Sequence, residues 1–141
     1  MRSFVLLILS ILLFTACSDG KKNKRSKIKE IPTYTIGINL PLTGNASYFA
    51  EEVRKGMELA FDHYRDSSRQ VRLNVLFEDN KFNPKDAISI ARKFIDVDGI
   101  DIYITGYTPI IQATTGLVDK RQIPILLTLS SAELIAAPYD W

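Results

Sequence analysis

The chain has 141 residues, 46% hydrophobic and 24% charged, with 18 basic residues against 16 acidic ones and a formal charge of +2. That is the length of one domain, with apolar content sufficient for a core, which excludes wholesale disorder. A single cysteine excludes an internal disulfide framework, and a single histidine excludes a two-histidine metal site.

The charge is unevenly distributed. Arg2 and six basic residues between Lys21 and Lys29 precede Glu30, where the only acidic residue is Asp19. From Glu30 onward 11 basic residues meet 15 acidic ones, a formal charge of −4, so a basic surface for nucleic acid is not supported. Arg2 leads into an apolar run from Phe4 to Phe14, broken only by Ser10 and followed by Thr15-Ala16-Cys17. A charged start, an apolar stretch and small residues at its end describe a secretory signal. The run is shorter than the roughly 20 apolar residues of a membrane-spanning helix.

Thr15-Ala16-Cys17 resembles the bacterial lipobox, in which the cysteine is lipidated and becomes the mature amino terminus; Phe14 stands where leucine is usual. The alternative is an unmodified signal peptide, or an uncleaved anchor with an incidental thiol. The expected organisation is a lipoprotein signal peptide over residues 1–16, lipidated Cys17 with a basic tether over 17–33, and a folded body over 34–141. Ser18–Lys29 lacks apolar periodicity and reads as a solvated spacer whose charge also favours an anionic leaflet. The body is therefore expected outside the cytoplasm, held to the membrane through Cys17.

From Tyr34 the pattern alternates between strand and helix. Tyr34–Leu40 alternates apolar with small or polar residues, and Pro41–Asn45 is turn chemistry. Phe49, Val53, Met57, Ala60, Phe61 and Tyr64 form a helical stripe, with Glu51 and Lys55 placed for a favourable pair on the other face. His63 lies off the stripe and is expected in solvent. Val71–Phe77 is a second strand ending at Glu78-Asp79-Asn80. Asn83-Pro84 then caps a second helix, with Ala87, Ile88, Ala91, Phe94 and Ile95 as its buried side.

Asp98-Gly99 ends that helix, and Ile100–Ile104 is a third strand. Asp96–Asp101 faintly echoes a calcium loop but lacks the distal glutamate, and reads as a helix-to-strand turn. Thr108-Pro109 repeats the cap-and-proline signature for a third helix through Arg121. Ile123–Leu127 is wholly apolar, as for a strand covered on both faces. The order implies an α/β fold with a parallel sheet and flanking helices, whose ligands bind beyond the carboxyl ends of the strands. No glycine-rich dinucleotide turn and no Gly-Lys-Ser/Thr cradle follows strand one, so no cofactor is expected.

Ile36-Gly37-Ile38-Asn39-Leu40-Pro41-Leu42-Thr43-Gly44, with Val53-Arg54-Lys55-Gly56-Met57-Glu58-Leu59-Ala60, resembles the opening of the branched-chain amino-acid binding proteins. These are type I periplasmic solute-binding proteins, akin to receptor ligand-binding regions. Glu78-Asp79-Asn80 with Pro84, Thr105-Gly106, and Ile123-Pro124-Ile125 leading to Ser130-Ser131 continue the resemblance. It implies two lobes closing on a ligand, of which this chain supplies the first part of lobe one. The chain is then a fragment of a longer product, a truncated gene, or a shortened protein with another use.

The resemblance implies ligand contacts at Phe49, Thr108, Ser130 and Ser131. A small zwitterion suits them: hydroxyls and a helix amino end for its carboxylate, acceptors for its ammonium, and the Phe49 ring, or neighbouring Tyr48, beside its side chain. Each residue also has a structural use, Thr108 and Ser130-Ser131 as helix caps and Phe49 as core. The implied function is a lipid-anchored solute receptor that takes an amino acid or relative and delivers it to an ABC transporter permease. The alternative is an envelope sensor or scaffold lobe of the same fold. No Gly-x-Ser-x-Gly is present and His63 has no evident catalytic partner, so no enzymatic activity is expected.

Overall fold

The computed structural model describes residues 30–67 and 70–130. The run from Phe4 to Phe14, Cys17, the spacer through Lys29 and Ser131 lie outside the described residues. Among the described residues, strands and helices alternate. They are β1 (Thr33–Leu40), α1 (Ser47–Ser67), β2 (Arg72–Asp79), α2 (Pro84–Lys93), β3 (Ile102–Gly106), α3 (Thr108–Asp119) and β4 (Ile125–Thr128). All strand pairs are parallel, in the order β2-β1-β3-β4. The fold is the α/β architecture expected from the alternating periodicities.

The sheet buries both faces. Ile36, Ile38, Leu40 and Ile104 meet Ala50, Val53, Met57 and Phe61 of α1 on one side. On the other, Tyr103 packs with Ala91, Phe94, Ile100 and Val118 beneath α2 and α3. Gly37 belongs to this second face: a Cβ there would lie 2.7 Å from the Phe94 ring, so glycine lets that ring rest on the strand. Phe94 opens a π turn, Phe94–Asp98, closed by Gly99 at φ 60°, where a side chain is disfavoured. That turn holds Ile100 and Asp101 out of the strand, so β3 begins two residues later than the apolar run suggested.

Asn83 caps α2 as expected, its side chain accepting from the Lys85 amide at 2.9 Å, with Pro84 in the first turn. The α1 stripe is rotated from the expected one. Ala50 is fully buried, whereas Phe49 is 62% exposed and Ala60 is also exposed, because 50, 53, 57, 61 and 64 share the inward face at 100° per residue. The expected Glu51–Lys55 pair gives way to Lys55–Glu52 at 2.8 Å, while Arg54 bridges Glu51 at 2.8 Å and Glu58 at 2.6 Å. His63 is exposed.

The expectation for β4 fails on one face. Leu126 pairs with Ile104, which places it on the α1 side, yet it remains 55% exposed because α1 packs over β1 and β2. The strand is an edge strand among the described residues, not one covered on both sides. No helix among the described residues is long and apolar enough to cross a membrane.

Candidate functional site

A parallel sheet brings every strand's carboxyl end to one edge. Here β1 leads through α1 to β2 on one side, while β3 lies on its other side. The connections leaving β1 and β3 therefore depart to opposite faces, α1 to one and α3 to the other. In open α/β sheets ligands bind where the strand order reverses in this way, which here is between the loops after β1 and β3.

The chain after each strand end is distinctive. Four non-glycine residues with left-handed φ stand there: Lys81 at 53° and Phe82 at 60° after β2, Tyr107 at 64° after β3, and Leu129 at 51° after β4. Such backbone costs of order 1–3 kcal/mol per residue and persists only where surroundings over-determine it. The surroundings are visible. Tyr107 donates its hydroxyl to the Ala46 carbonyl at 2.7 Å and meets the Phe82 ring edge-on at 5.4 Å, tying three loops together. Burial pushes the Tyr107 hydroxyl pKa up.

Beneath the loops lies a buried amide network. Asn39 Nδ2 donates to Ala87 O at 2.9 Å and to the Tyr103 hydroxyl at 2.8 Å, while Asn80 Nδ2 donates to Asn39 Oδ1 at 2.8 Å. Asn80 Oδ1 accepts from the Phe82 amide at 2.9 Å, and Thr105 Oγ1 donates to the Asn39 carbonyl at 3.0 Å. Buried polar groups are tolerated when satisfied in this way. Burial raises the Tyr103 pKa against the opposing pull of the neighbouring Thr114, Thr105 and Asn39 side chains, so the phenol stays neutral.

The residues singled out from the sequence fall along this edge. Phe49 is in the first turn of α1, exposed, with its ring 5.2 Å from that of Tyr48, itself 73% exposed. Thr108 is half-buried at the first position of α3, and Ser130 is exposed two residues beyond β4. Since β1, β3 and β4 are consecutive in the sheet, these three follow neighbouring strands; Ser131 lies outside the described residues.

Thr108 is not the cap the sequence suggested. Tyr107 occupies the cap position, its carbonyl accepting from the Ile110 and Ile111 amides at 3.0 Å each, with no side-chain cap hydrogen bond. The helix starts at Thr108 itself, with Pro109 in the first turn, where its missing amide costs no intrahelical bond, so the Thr108 hydroxyl is not used for capping. Sequence reasoning also passed over Asn39, Asn80 and Tyr107. Their signals were an asparagine inside the apolar Ile36–Leu40 run and an aromatic between Gly106 and Thr108-Pro109.

Two other features lie off this edge. A groove of about 710 Å³ between Phe61 and Tyr64 of α1 and Leu73 and Val75 of β2 sits on the flank of the sheet and holds none of the three rim residues. The carboxylates of Asp96, Asp98 and Asp101 turn to separate partners, Arg121 at 2.9 Å, Lys93 at 3.2 Å and the Thr35 amide at 2.7 Å. No group of three or more ligating side chains is placed to hold a metal among the described residues.

Comparisons with known proteins agree with this architecture. A family model described as periplasmic binding protein matches residues 33–140. The Leu/Ile/Val-binding protein homolog 2 of Brucella abortus is 30% identical over 71 residues, covering 49% of this chain and 19% of that protein. An ABC-transporter solute-binding protein from Rhodopseudomonas palustris, solved with 3,4-dihydroxybenzoic acid, superposes with a TM-score of 0.68 at 19% identity, over 73% of this chain and 29% of that one. The branched-chain amino-acid binding protein LivJ of Streptococcus pneumoniae, solved with isoleucine, gives 0.66 at 18% identity, over 73% and 30%. The chain thus spans about a fifth of the curated relative's length.

Proposed function

The chain belongs to the periplasmic binding protein family, and from that membership we propose that it forms part of the first lobe of an extracytoplasmic solute receptor serving an ABC transporter. The ligand is an amino acid of the branched-chain type or a similar small carboxylate. It sits in the crevice beyond β1 and β3, against Phe49, Thr108, Ser130 and Ser131. The observation that carries this reading is the convergence of strained loops, exposed aromatic rings and hydroxyls at the strand-order reversal.

The chemistry follows from the residues. Thr108, released from capping, offers a hydroxyl beside the amino end of α3, where the helix dipole favours a carboxylate. Ser130 adds a second hydroxylic side chain, and the Tyr48–Phe49 pair presents an apolar wall to the rest of the solute. Ligand bridging a second lobe would favour the closed state by population shift. Nothing in this scheme calls for bond-making, so the protein acts by binding and release, not as an enzyme. Residues 1–16 serve as the export signal, and Cys17 with the basic tether anchors in the cell envelope the folded body, whose first strand begins at Thr33.

Aromatic acids are a second ligand class, favoured by the exposed Tyr48 and Phe49 rings and by the dihydroxybenzoate held by the Rhodopseudomonas protein. Calorimetric titration of the full gene product with a panel of amino acids and of benzoates tests both. Heat with one series selects it; no heat and no thermal shift with either removes the transport reading in favour of an envelope sensor or scaffold lobe.

A further inference from the structure

Asp79 ends β2, and its partner across the ladder is Leu40, the last residue of β1. Two loops leave the sheet side by side from this pair, residues 41–46 towards α1 and 80–83 towards α2. The Asp79 carboxylate lies between them. Its Oδ1 accepts from the amides of Leu42 at 2.9 Å, Thr43 at 3.3 Å and Lys81 at 2.9 Å, and its Oδ2 from the Thr43 hydroxyl at 2.5 Å. The Lys81 bond closes Asp79's own turn. The other three reach a segment 36 or 37 residues earlier in the chain, which local turn closure does not require.

That segment decides where α1 begins. Gly44, at φ 83°, turns the chain so that its carbonyl accepts from both the amide of Ser47 at 3.1 Å and the Ser47 hydroxyl at 2.8 Å. Tyr48 and Phe49 follow in the same turn of helix. We propose that Asp79 is a positioning residue of the ligand crevice: its carboxylate locks the loop that launches α1 and so presets the Tyr48–Phe49 pair before the solute arrives. This rests on the reading of the rim as a solute crevice. An ionised oxygen makes shorter and stronger hydrogen bonds than a neutral one, which suits a clamp drawn from four donors. Burial alone would raise the Asp79 pKa, but donation by Thr43, Lys81 and Leu42 outweighs it and holds the carboxyl below its ordinary range.

The test uses the full chain with Asp79→Ala, Asp79→Asn and the milder surface variant Thr43→Val. Native-state amide exchange should show protection at Leu42, Thr43 and Lys81 falling at least tenfold in Asp79→Ala, with the central amides of β1 and β3 unchanged. Asp79→Asn, which keeps an acceptor oxygen, should recover part of it, and Thr43→Val should show a smaller local loss. Titration with isoleucine and with benzoate should show affinity weakened in the same order. Unchanged protection in Asp79→Ala overturns the clamp, as does loss spread evenly over the sheet. Unchanged affinity despite lost protection overturns the positioning role. A wild-type chain that binds neither probe instead counts against the function, while the exchange data still judge the clamp.

Discussion

The two edges of the sheet are built by different means. At the amino edge, the turn into β3 uses Gly99 for its left-handed residue and is dressed with ion pairs, Lys93–Asp98 at 3.2 Å and Arg121–Asp96 at 2.9 Å. At the carboxyl edge, left-handed φ falls on Lys81, Phe82, Tyr107 and Leu129, side chains that disfavour it, over a buried network of Asn39, Asn80, Tyr103 and Thr105. Gln122, at 54°, is the amino edge's own exception, in the turn before β4. One edge closes its turns cheaply; the other spends backbone strain and buried amides to fix loops in place. Strain of that kind concentrates where a rigid, preset surface is needed, which supports the proposed placing of the crevice at this edge.

If that contrast is right, the carboxyl edge should be far the more sensitive to substitution. Asn39→Ala should be the most damaging change, because it removes the partner of the Tyr103 hydroxyl, the Ala87 carbonyl and the Asn80 amide together. Leaving such groups unsatisfied costs about 1–3 kcal/mol each, so urea denaturation should report a loss of about 3 kcal/mol or more. Gly106→Ala comes next. A Cβ there would lie 2.7 Å from Thr128 Oγ1 and 2.8 Å from its carbonyl oxygen, backbone that cannot swing aside. Overpacking of this kind costs about 1–3 kcal/mol, and pushing β4 away should also weaken binding at Ser130.

How much of this was legible beforehand follows the same divide. The alternation of periods, Asn83-Pro84 and Asp98-Gly99 speak through local chemistry, so the parallel α/β order, the start of α2 and the close of the π turn that follows it could be read directly. Thr108 was misjudged because the helix starts one residue earlier than the cap-and-proline signature implies, with Tyr107 as the cap in a conformation that no propensity favours. Leu126 was misjudged because an apolar run says a strand can be buried, while coverage depends on which helix lies above it. Phe49, Thr108 and Ser130 came through resemblance alone. Asn39 and Asp79 were visible as letters, but their roles arise from partners about 40 residues away, which spacing along one strand does not encode.

Acid sharpens the contrast further. Because Thr43, Lys81 and Leu42 hold the Asp79 carboxyl below its ordinary range, the stability it supplies is complete above the unfolded carboxylate pKa of about 4 and is lost as pH falls through the lower folded value. Asp79→Ala should therefore be less stable than wild type near neutrality, and the two curves of unfolding free energy against pH should converge in acid. Persistent separation at low pH would mean that the carboxylate's charge is not what holds the loops.

The smallest effects are expected at the ion pairs around the turn into β3. Lys93 reaches Glu78 at 2.7 Å and Asp98 at 3.2 Å, and Arg121 reaches Asp96 at 2.9 Å, but Lys93, Arg121 and Asp96 are each about half exposed or more. Exposed pairs of this kind are worth about 0.2–1 kcal/mol and are screened by salt. Arg121→Ala should move thermal unfolding by no more than a degree or two, and the difference should shrink in high salt. Lys93→Ala should lose slightly more, because its ammonium also lies 5.6 Å from the centre of the Phe94 ring, a cation–π contact. A loss at either position as large as that of Gly106→Ala would erase the distinction between the edges, since strain and buried amides would no longer mark where the molecule is most tightly held.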